Sequence, residues 1–239
     1  MQKVLIFAGC MSNYRLPEIK QSLTSLCEKA NINYGFLEAE RCCGFPLFSS
    51  GLLKSARLLV NYFLDNKEKI DGYKIITPCP GCYKAFRFYY PTALKINALH
   101  HSEFILELIE NKKIKFKQTE QNRTLKVAYH DPCHLVEMDI IEEPRKILEN
   151  IPSVKILEFS RKKKETQCCG GGSGVTWVAY PRLSLSLAEE RIKEALSLGA
   201  EVLLSACPLC ESILGTASRR LGSSVKVMDI SSFIESFVQ

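Results

Sequence analysis

The sequence predicts an α/β protein built of two similar lobes with parallel sheets, and three observations predict it. Strand-like apolar runs alternate with helical ones along the chain, ten of its eleven cysteines fall into two sets of like spacing, and those cysteines lie at or beyond the ends of strand-like runs. With 239 residues and 46% hydrophobic content, the chain can bury a sizeable core. Its formal charge of +6 is mild and mixed along the sequence, so no basic stripe suggests a nucleic-acid partner.

The elements follow in order. "KVLIFAGC" and "LKVAYHDPC" are β-rich runs that each deliver a cysteine. "LPEIKQSLTSLCEKA" and "EEPRKILENI" are helical by apolar spacing, with proline in the first turn. "NYGFLEA" and "VKILEF" are strands leading to Cys-Cys-Gly segments, and longer helices follow in "LLKSARLLVNYFLDNKEKI" and "PRLSLSLAEERIKEALSLG". "YKIITPCPGC" and "AEVLLSACPLC" are again strands ending in cysteine. Each half closes with a helix, a strand ("LKINALH", "SVKVMDI") and a short helix ("SEFILELIEN", "SSFIESFV"). The pattern predicts two Rossmann-like lobes, residues 1–122 and 123–239, joined by the charged stretch 110–124. No segment reaches the ~18 uninterrupted apolar residues of a membrane span. The N-terminal run reads as a first strand and not as a leader, so the expected location is cytoplasmic, or peripheral to a membrane complex.

The first cysteine set is Cys10, Cys42, Cys43, Cys79 and Cys82; the second is Cys133, Cys168, Cys169, Cys207 and Cys210. Corresponding members are 123, 126, 126, 128 and 128 residues apart, which marks an internal duplication. In a parallel-sheet lobe, loops beyond the strand C-termini meet in one crevice, so the cysteine loops are expected to converge at the lobe interface. A reducing compartment disfavours disulfides, and adjacent cysteines rarely bridge without strain. Thiolates are soft ligands for zinc or iron–sulfur centres. Gly44 and Gly170, after the cysteine pairs, give the loops access to positive φ, and with Gly171 they leave backbone N–H groups free for sulfur. Zinc or a cubane cluster needs four ligands, and each half offers five.

On "CCGFP", "TPCPGCY", "YHDPCH", "CCGGGSG" and "SACPLC" the chain resembles, over nearly all its length, the CCG-domain (cysteine-rich domain) iron–sulfur proteins. The tandem form occurs in the non-cubane-cluster subunit of heterodisulfide reductase and in iron–sulfur subunits of glycerol-3-phosphate, glycolate, lactate and succinate oxidoreductases. Resemblance to the heterodisulfide reductase type implies two non-cubane 4Fe-4S clusters, one on each five-cysteine set, working on a disulfide or thiol substrate. It also implies a partner subunit with ferredoxin-type clusters or flavin, since neither a ferredoxin-like cysteine run nor G-x-G-x-x-G occurs here. Two alternatives stand beside it: an electron-relay subunit of a lactate-, succinate- or quinone-linked dehydrogenase, and a zinc-stabilised assembly module.

Other residues have a plainer reading beside the functional one. His130 and His134 flank Cys133 and are candidates for ligation or proton donation; the plainer role is a hydrogen bond that fixes the loop. Cys27 lies among apolar residues of a helix and reads as a buried thiol. Trp177 and Tyr180 read as packing, and "RKKK" at 161–164 as a solvated turn or a face for an acidic partner.

Overall fold

The computed structural model describes residues 3–38, 40–94, 96–117 and 124–239. The first lobe runs β1 (Val4–Ile6), α1 (Gly9–Tyr14), α2 (Pro17–Lys29), β2 (Tyr34–Phe36), α3 (Phe45–Ser49), α4 (Leu53–Asp65), β3 (Lys74–Thr77), α5 (Pro80–Lys84), β4 (Asn97–His100) and α6 (His101–Glu110). The second runs β5 (Leu125–His130), α7 (Cys133–Glu137), α8 (Glu143–Glu149), β6 (Val154–Leu157), α9 (Val175–Ala179), α10 (Pro181–Ser197), β7 (Val202–Ser205), α11 (Pro208–Arg220), β8 (Lys226–Asp229) and α12 (Ile230–Glu235).

Each lobe holds a four-stranded sheet, ordered β2-β1-β3-β4 in the first and β6-β5-β7-β8 in the second. Every pairing is parallel. The central strands carry the continuous Val, Ile and Leu runs that burial on both faces demands, and they are buried. The two lobes are locked by exchanged helices. α12 of the second lobe packs on α2 of the first, and α6 of the first packs on α8 of the second. These are equivalent pairs, so the lobes face each other about a pseudo-twofold axis.

One core spans the seam: Ile6, Ile76 and Ile105 belong to the same apolar cluster as Tyr129, Leu204 and Ile230. A second cluster, with Leu203, Ala188, Ile192 and Leu214, covers the other face of the second sheet.

Two differences from the sequence reading concern α4 and the linker. α4 ends at Asp65, where the helical reading ran to residue 70; Asn66 caps its end by donating from Nδ2 to Tyr62 O, and Lys67–Lys69 turn as 3-10 helix. The stretch read as a linker is tied down in part. Phe116 forms an antiparallel bridge with Val238, and Gln239 N donates to Lys115 O at 3.0 Å. The expected lobe boundary near residue 122 lies outside the described residues.

Candidate metal centre

Strand ends and helix starts place the first thiol set. β1 delivers Cys10 to the first turn of α1, and β3 delivers Cys79 to the N-cap of α5, with Cys82 inside that helix. Cys42 and Cys43 precede Gly44, whose φ of 78° lets the chain turn sharply into α3. The second lobe repeats this. Cys133 opens α7, Cys207 caps α11 with Cys210 one turn on, and Cys168 and Cys169 precede Gly170 at φ 93°.

Within each set the sulfurs interact. Cys169 Sγ lies 3.2 Å from Cys210 Sγ, Gly44 N donates to Cys42 Sγ at 3.4 Å, and Gly170 N donates to Cys168 Sγ at 3.3 Å. Hydrogen bonds from Cys10 and Cys43, helped by the Gly44 N–H, hold the Cys42 thiol well below its ordinary range. Those from Cys133 and Cys169, with the glycine N–H groups, do the same to Cys168. The thiols facing these two, Cys10 and Cys43 or Cys133 and Cys169, are pushed up by that hydrogen bonding and by burial. Hydrogen bonding among the sulfurs and from the glycine N–H groups thus favours the thiolate form at Cys42 and Cys168, the form that binds a metal.

The residues present fit a bulky thiolate-held iron–sulfur group. Most of the donors are thiols, and the backbone comes close: a Cβ on Gly9 would stand 3.2 Å from Cys82 Sγ. Beside the second set, both ring nitrogens of His130 are buried without a hydrogen-bond partner among the described residues. One nitrogen of that ring and the sulfurs of Cys169 and Cys210 lie within 4.8 Å of one another.

Side chains that the sequence reading missed hold the loops. In the first lobe Glu40 accepts from Ala8 N at 2.9 Å, Gly9 N at 2.8 Å and Asn13 Nδ2 at 2.7 Å, and burial pushes its carboxyl up to about 6. In the second the acid comes from the other strand: Asp131, beside the Cys133 turn, takes a bidentate pair from buried Arg145 at 2.7 and 2.9 Å. Arg145 also binds Glu158 with Nε at 2.7 Å, and Lys163 N donates to Asp131 at 2.8 Å. An arginine inside the apolar face of "EEPRKILENI" was the available signal.

The elements that carry the two sets adjoin at the lobe seam. α5 packs on α7, and α3 packs on the turn Gly172–Gly174. Pro80 lines one cavity of about 30 Å³ together with Cys133, Cys168, Cys169, Cys207 and Cys210. His134 stands there, partly exposed. Its Nδ1 is 3.0 Å from Glu137 Oε2, its Nε2 is 3.0 Å from Ser173 Oγ, and Phe45 of the first lobe meets its ring edge-on at 4.9 Å. His130 is buried, and burial first, then the charge of Arg191, lowers it to about 3, so it is neutral at pH 7.

Gly171 keeps an ordinary φ of −67° and packs against Leu209 and Ile213, so of the three predicted glycines only Gly44 and Gly170 have positive φ. Trp177 packs on the second core cluster and Tyr180 is exposed. Lys163 and Lys164 pair with Glu142 and Asp139 around a surface hollow lined by none of the cysteines.

A second polar group missed in the sequence lies on the pseudo-axis. His100 Nε2 lies 3.2 Å from Pro78 O and 3.1 Å from His101 Nδ1, while His101 Nε2 lies 3.1 Å from Asp229 Oδ1. With Nε2–H on both rings, each of these contacts is a hydrogen bond. His100 also meets the Ala206 carbonyl, so it links the residues that precede Cys79 and Cys207 in the two repeats.

Paired parallel-sheet lobes with thiol-bearing loops adjoining at their seam define a cysteine-rich α/β protein. The chain belongs to the cysteine-rich domain (CCG) family, whose model matches residues 4–87 and 127–215. It is 33% identical over 236 residues to a subunit of the dihydromethanophenazine:CoB–CoM heterodisulfide reductase of Methanosarcina barkeri, covering 95% of this chain and 57% of that one. It is 30% identical over 244 residues to the probable iron-sulfur-binding oxidoreductase FadF of Bacillus subtilis, covering 95% of this chain and 32% of that one. Lactate utilization protein A of an Exiguobacterium species is 25% identical over 252 residues, covering 100% and 99%. The chain thus spans about half the length of the first relative and a third of the second. No helix among the described residues is long and apolar enough to cross a membrane.

Proposed function

We propose that the chain is an iron–sulfur subunit of a multi-subunit oxidoreductase, working on a disulfide or thiol in the manner of heterodisulfide reductase. In this reading Cys10, Cys42, Cys43, Cys79 and Cys82 hold one 4Fe-4S cluster and Cys133, Cys168, Cys169, Cys207 and Cys210 a second, both non-cubane. The observation that carries it is the packing of the cysteine-bearing elements at one seam: α5 lies on α7, and Pro80, next to Cys79, lines the cavity formed by the second set of cysteines. When bound, such groups take up and return single electrons and offer iron to a sulfur ligand.

The chain's own residues supply the rest. His134, oriented by Glu137 and Ser173 at the edge of that cavity, holds a proton where a departing thiolate would collect it. His130 is enclosed and neutral, so its part is to wall the second site, with a ring nitrogen within 4.8 Å of the sulfurs of Cys169 and Cys210. Gly44 and Gly170 donate backbone N–H groups to Cys42 and Cys168. Electrons come from a partner with ferredoxin-type clusters or flavin.

A second reading, an electron-relay subunit of a lactate-, succinate- or quinone-linked dehydrogenase, draws on the end-to-end match with lactate utilization protein A. The test is anaerobic isolation with native partners, followed by metal and sulfide analysis and addition of candidate disulfides to the reduced protein. About eight iron and eight sulfide per chain are expected, as two four-iron clusters require. Thiol release with a change in the cluster spectrum supports disulfide chemistry. Rapid electron transfer to a dehydrogenase or quinone partner, with no response to any disulfide, gives the relay reading. Stoichiometric zinc without sulfide overturns both and leaves a zinc-stabilised assembly module.

A further inference from the structure

Sheet register aligns the two lobes residue by residue, and the alignment exposes an asymmetry beside the thiols. Ile6 pairs with Ile76 as Tyr129 pairs with Leu204, so His130 stands where the first lobe has Phe7. α4 and α10 begin 128 residues apart, and β3 and β7 keep the same offset, so Arg191 stands where the first lobe has Phe63. In the first lobe these positions form an apolar wall. Phe7 and Phe63 lie 6.0 Å apart, with Phe86 4.9 Å from Phe7 and Tyr90 5.4 Å from Phe63. In the second lobe they form a buried cation and an imidazole.

Arg191 is 0% exposed, and its Nε and Nη2 have no partner among the described residues. Its remaining contacts anchor it: Nη1 donates to Glu194 Oε2 at 3.1 Å and to Arg161 O at 3.3 Å, and the guanidinium carbon lies 3.6 Å from the centroid of Phe159. By the same alignment it stands beside His130 as Phe63 stands beside Phe7, and a nitrogen of the His130 ring lies within 4.8 Å of the sulfurs of Cys169 and Cys210. Burying an arginine with two idle donors costs free energy that a phenylalanine at the same place does not. Phe63 shows that the fold does not need the arginine.

We infer that Arg191, with His130 beside it, makes the second five-cysteine site the more electron-accepting of the two, so that an entering electron settles there first. The inference rests on the reading that both sites hold iron–sulfur clusters. One electron from an external donor adds one negative charge to the group it enters. Arg191 offsets that charge from dry surroundings, where an ion's field is little screened, while the phenylalanines of the first lobe offer nothing comparable. Of the neighbouring acids, Glu194 is paired to Arg191 and Asp131 to Arg145, and Arg161 adds positive charge.

The test is a redox titration of the anaerobic complex followed by electron paramagnetic resonance at fixed pH, after iron and sulfide have been measured. Cys43→Ala and Cys169→Ala assign each signal to its half. The second-half signal is expected to titrate at the higher potential. Arg191→Met should lower its reduction equilibrium at least tenfold, 59 mV for a one-electron couple, and leave the first half unmoved. Arg191→Lys should retain most of the wild-type potential, and Glu194→Gln should raise it. Wild-type halves that titrate together, or an Arg191→Met shift shared by both halves or absent from both, overturn the inference. Should Arg191→Met lose its second-half iron, Glu194→Gln decides: a rise supports the assignment, and no change overturns it. Absence of iron and sulfide from the wild type overturns the cluster reading itself, whereas loaded clusters with unmoved potentials overturn only the role of Arg191.

Discussion

Cys27 stands outside the repeat, and its surroundings show why. It is 1% exposed among Leu23, Leu26 and Ala30, and burial pushes its thiol up to about 12, so it stays protonated and apolar. Cys27→Ala is therefore expected to keep full iron content and cost roughly 1 kcal/mol in denaturant unfolding; loss of iron would place it among the ligands. Arg145 is the opposite case. It satisfies buried Asp131 bidentately, and Arg145→Met leaves that carboxylate uncompensated at the base of the Cys133 turn. A loss of about 3 kcal/mol or more is expected. A change within about 0.5 kcal/mol, the range of ordinary surface substitutions, would show the pair to be inessential.

At the scale of elements, the two Cys-Cys-Gly turns share a conformation but face different neighbours. A Cβ on Gly170 would stand 2.3 Å from the Ser184 carbonyl oxygen in α10, whereas one on Gly44 would meet the end of the Leu59 side chain at 3.2 Å. A side chain tip can move; helix backbone cannot without moving α10. Gly44→Ala is expected to cost ~1–2 kcal/mol, the penalty of left-handed backbone. Gly170→Ala should cost more and should displace second-half iron, as measured by unfolding and by metal analysis on each variant. Equal costs would mean that the Ser184 contact does not hold the turn. The short helices α1, α3, α5, α7 and α9, which carry or flank the cysteine loops, are five or six residues long. They give no periodic signal, because fewer than two turns cannot display one.

At the scale of the molecule, one apolar cluster crosses the seam, so the lobes are expected to unfold together. Fluorescence of Trp177, the chain's single tryptophan, and far-ultraviolet circular dichroism should then give coincident denaturant curves. Separate midpoints would mean independent lobes. His100, on the pseudo-axis, adds a pH dependence. Burial first, then the neighbouring His101, holds His100 well below its ordinary 6.5, while the carbonyls of Pro78 and Ala206 pull the other way. The unfolded chain takes a proton there that the folded one refuses, so this contribution is complete above pH 6.5 and is lost as pH falls below it. The loss is at most about 1.4 kcal/mol per pH unit. His100→Asn keeps a residue able to cap α6 while removing the titration, and should flatten the stability curve between pH 6.5 and 5. An unchanged slope would assign the acid limb to other groups.

By itself the sequence determined the duplication, the alternation of strand and helix, and the division of the cysteines into two sets, because spacing and apolar periodicity are written along the chain. "HDPC" and the five-fold cysteine grammar pointed to the loops that matter. Only the tertiary structure decided which distant side chains meet. Asp131 and Arg145 are 14 residues apart, and His101 and Asp229 are 128 apart. Nothing in local composition pairs them, since a buried ion or imidazole is chosen by the partners the fold brings to it. The same holds for Arg191. On its helix it reads as one more surface charge, and only the packing of α10 over the second sheet turns it inward, to the place that Phe63 fills in the other lobe.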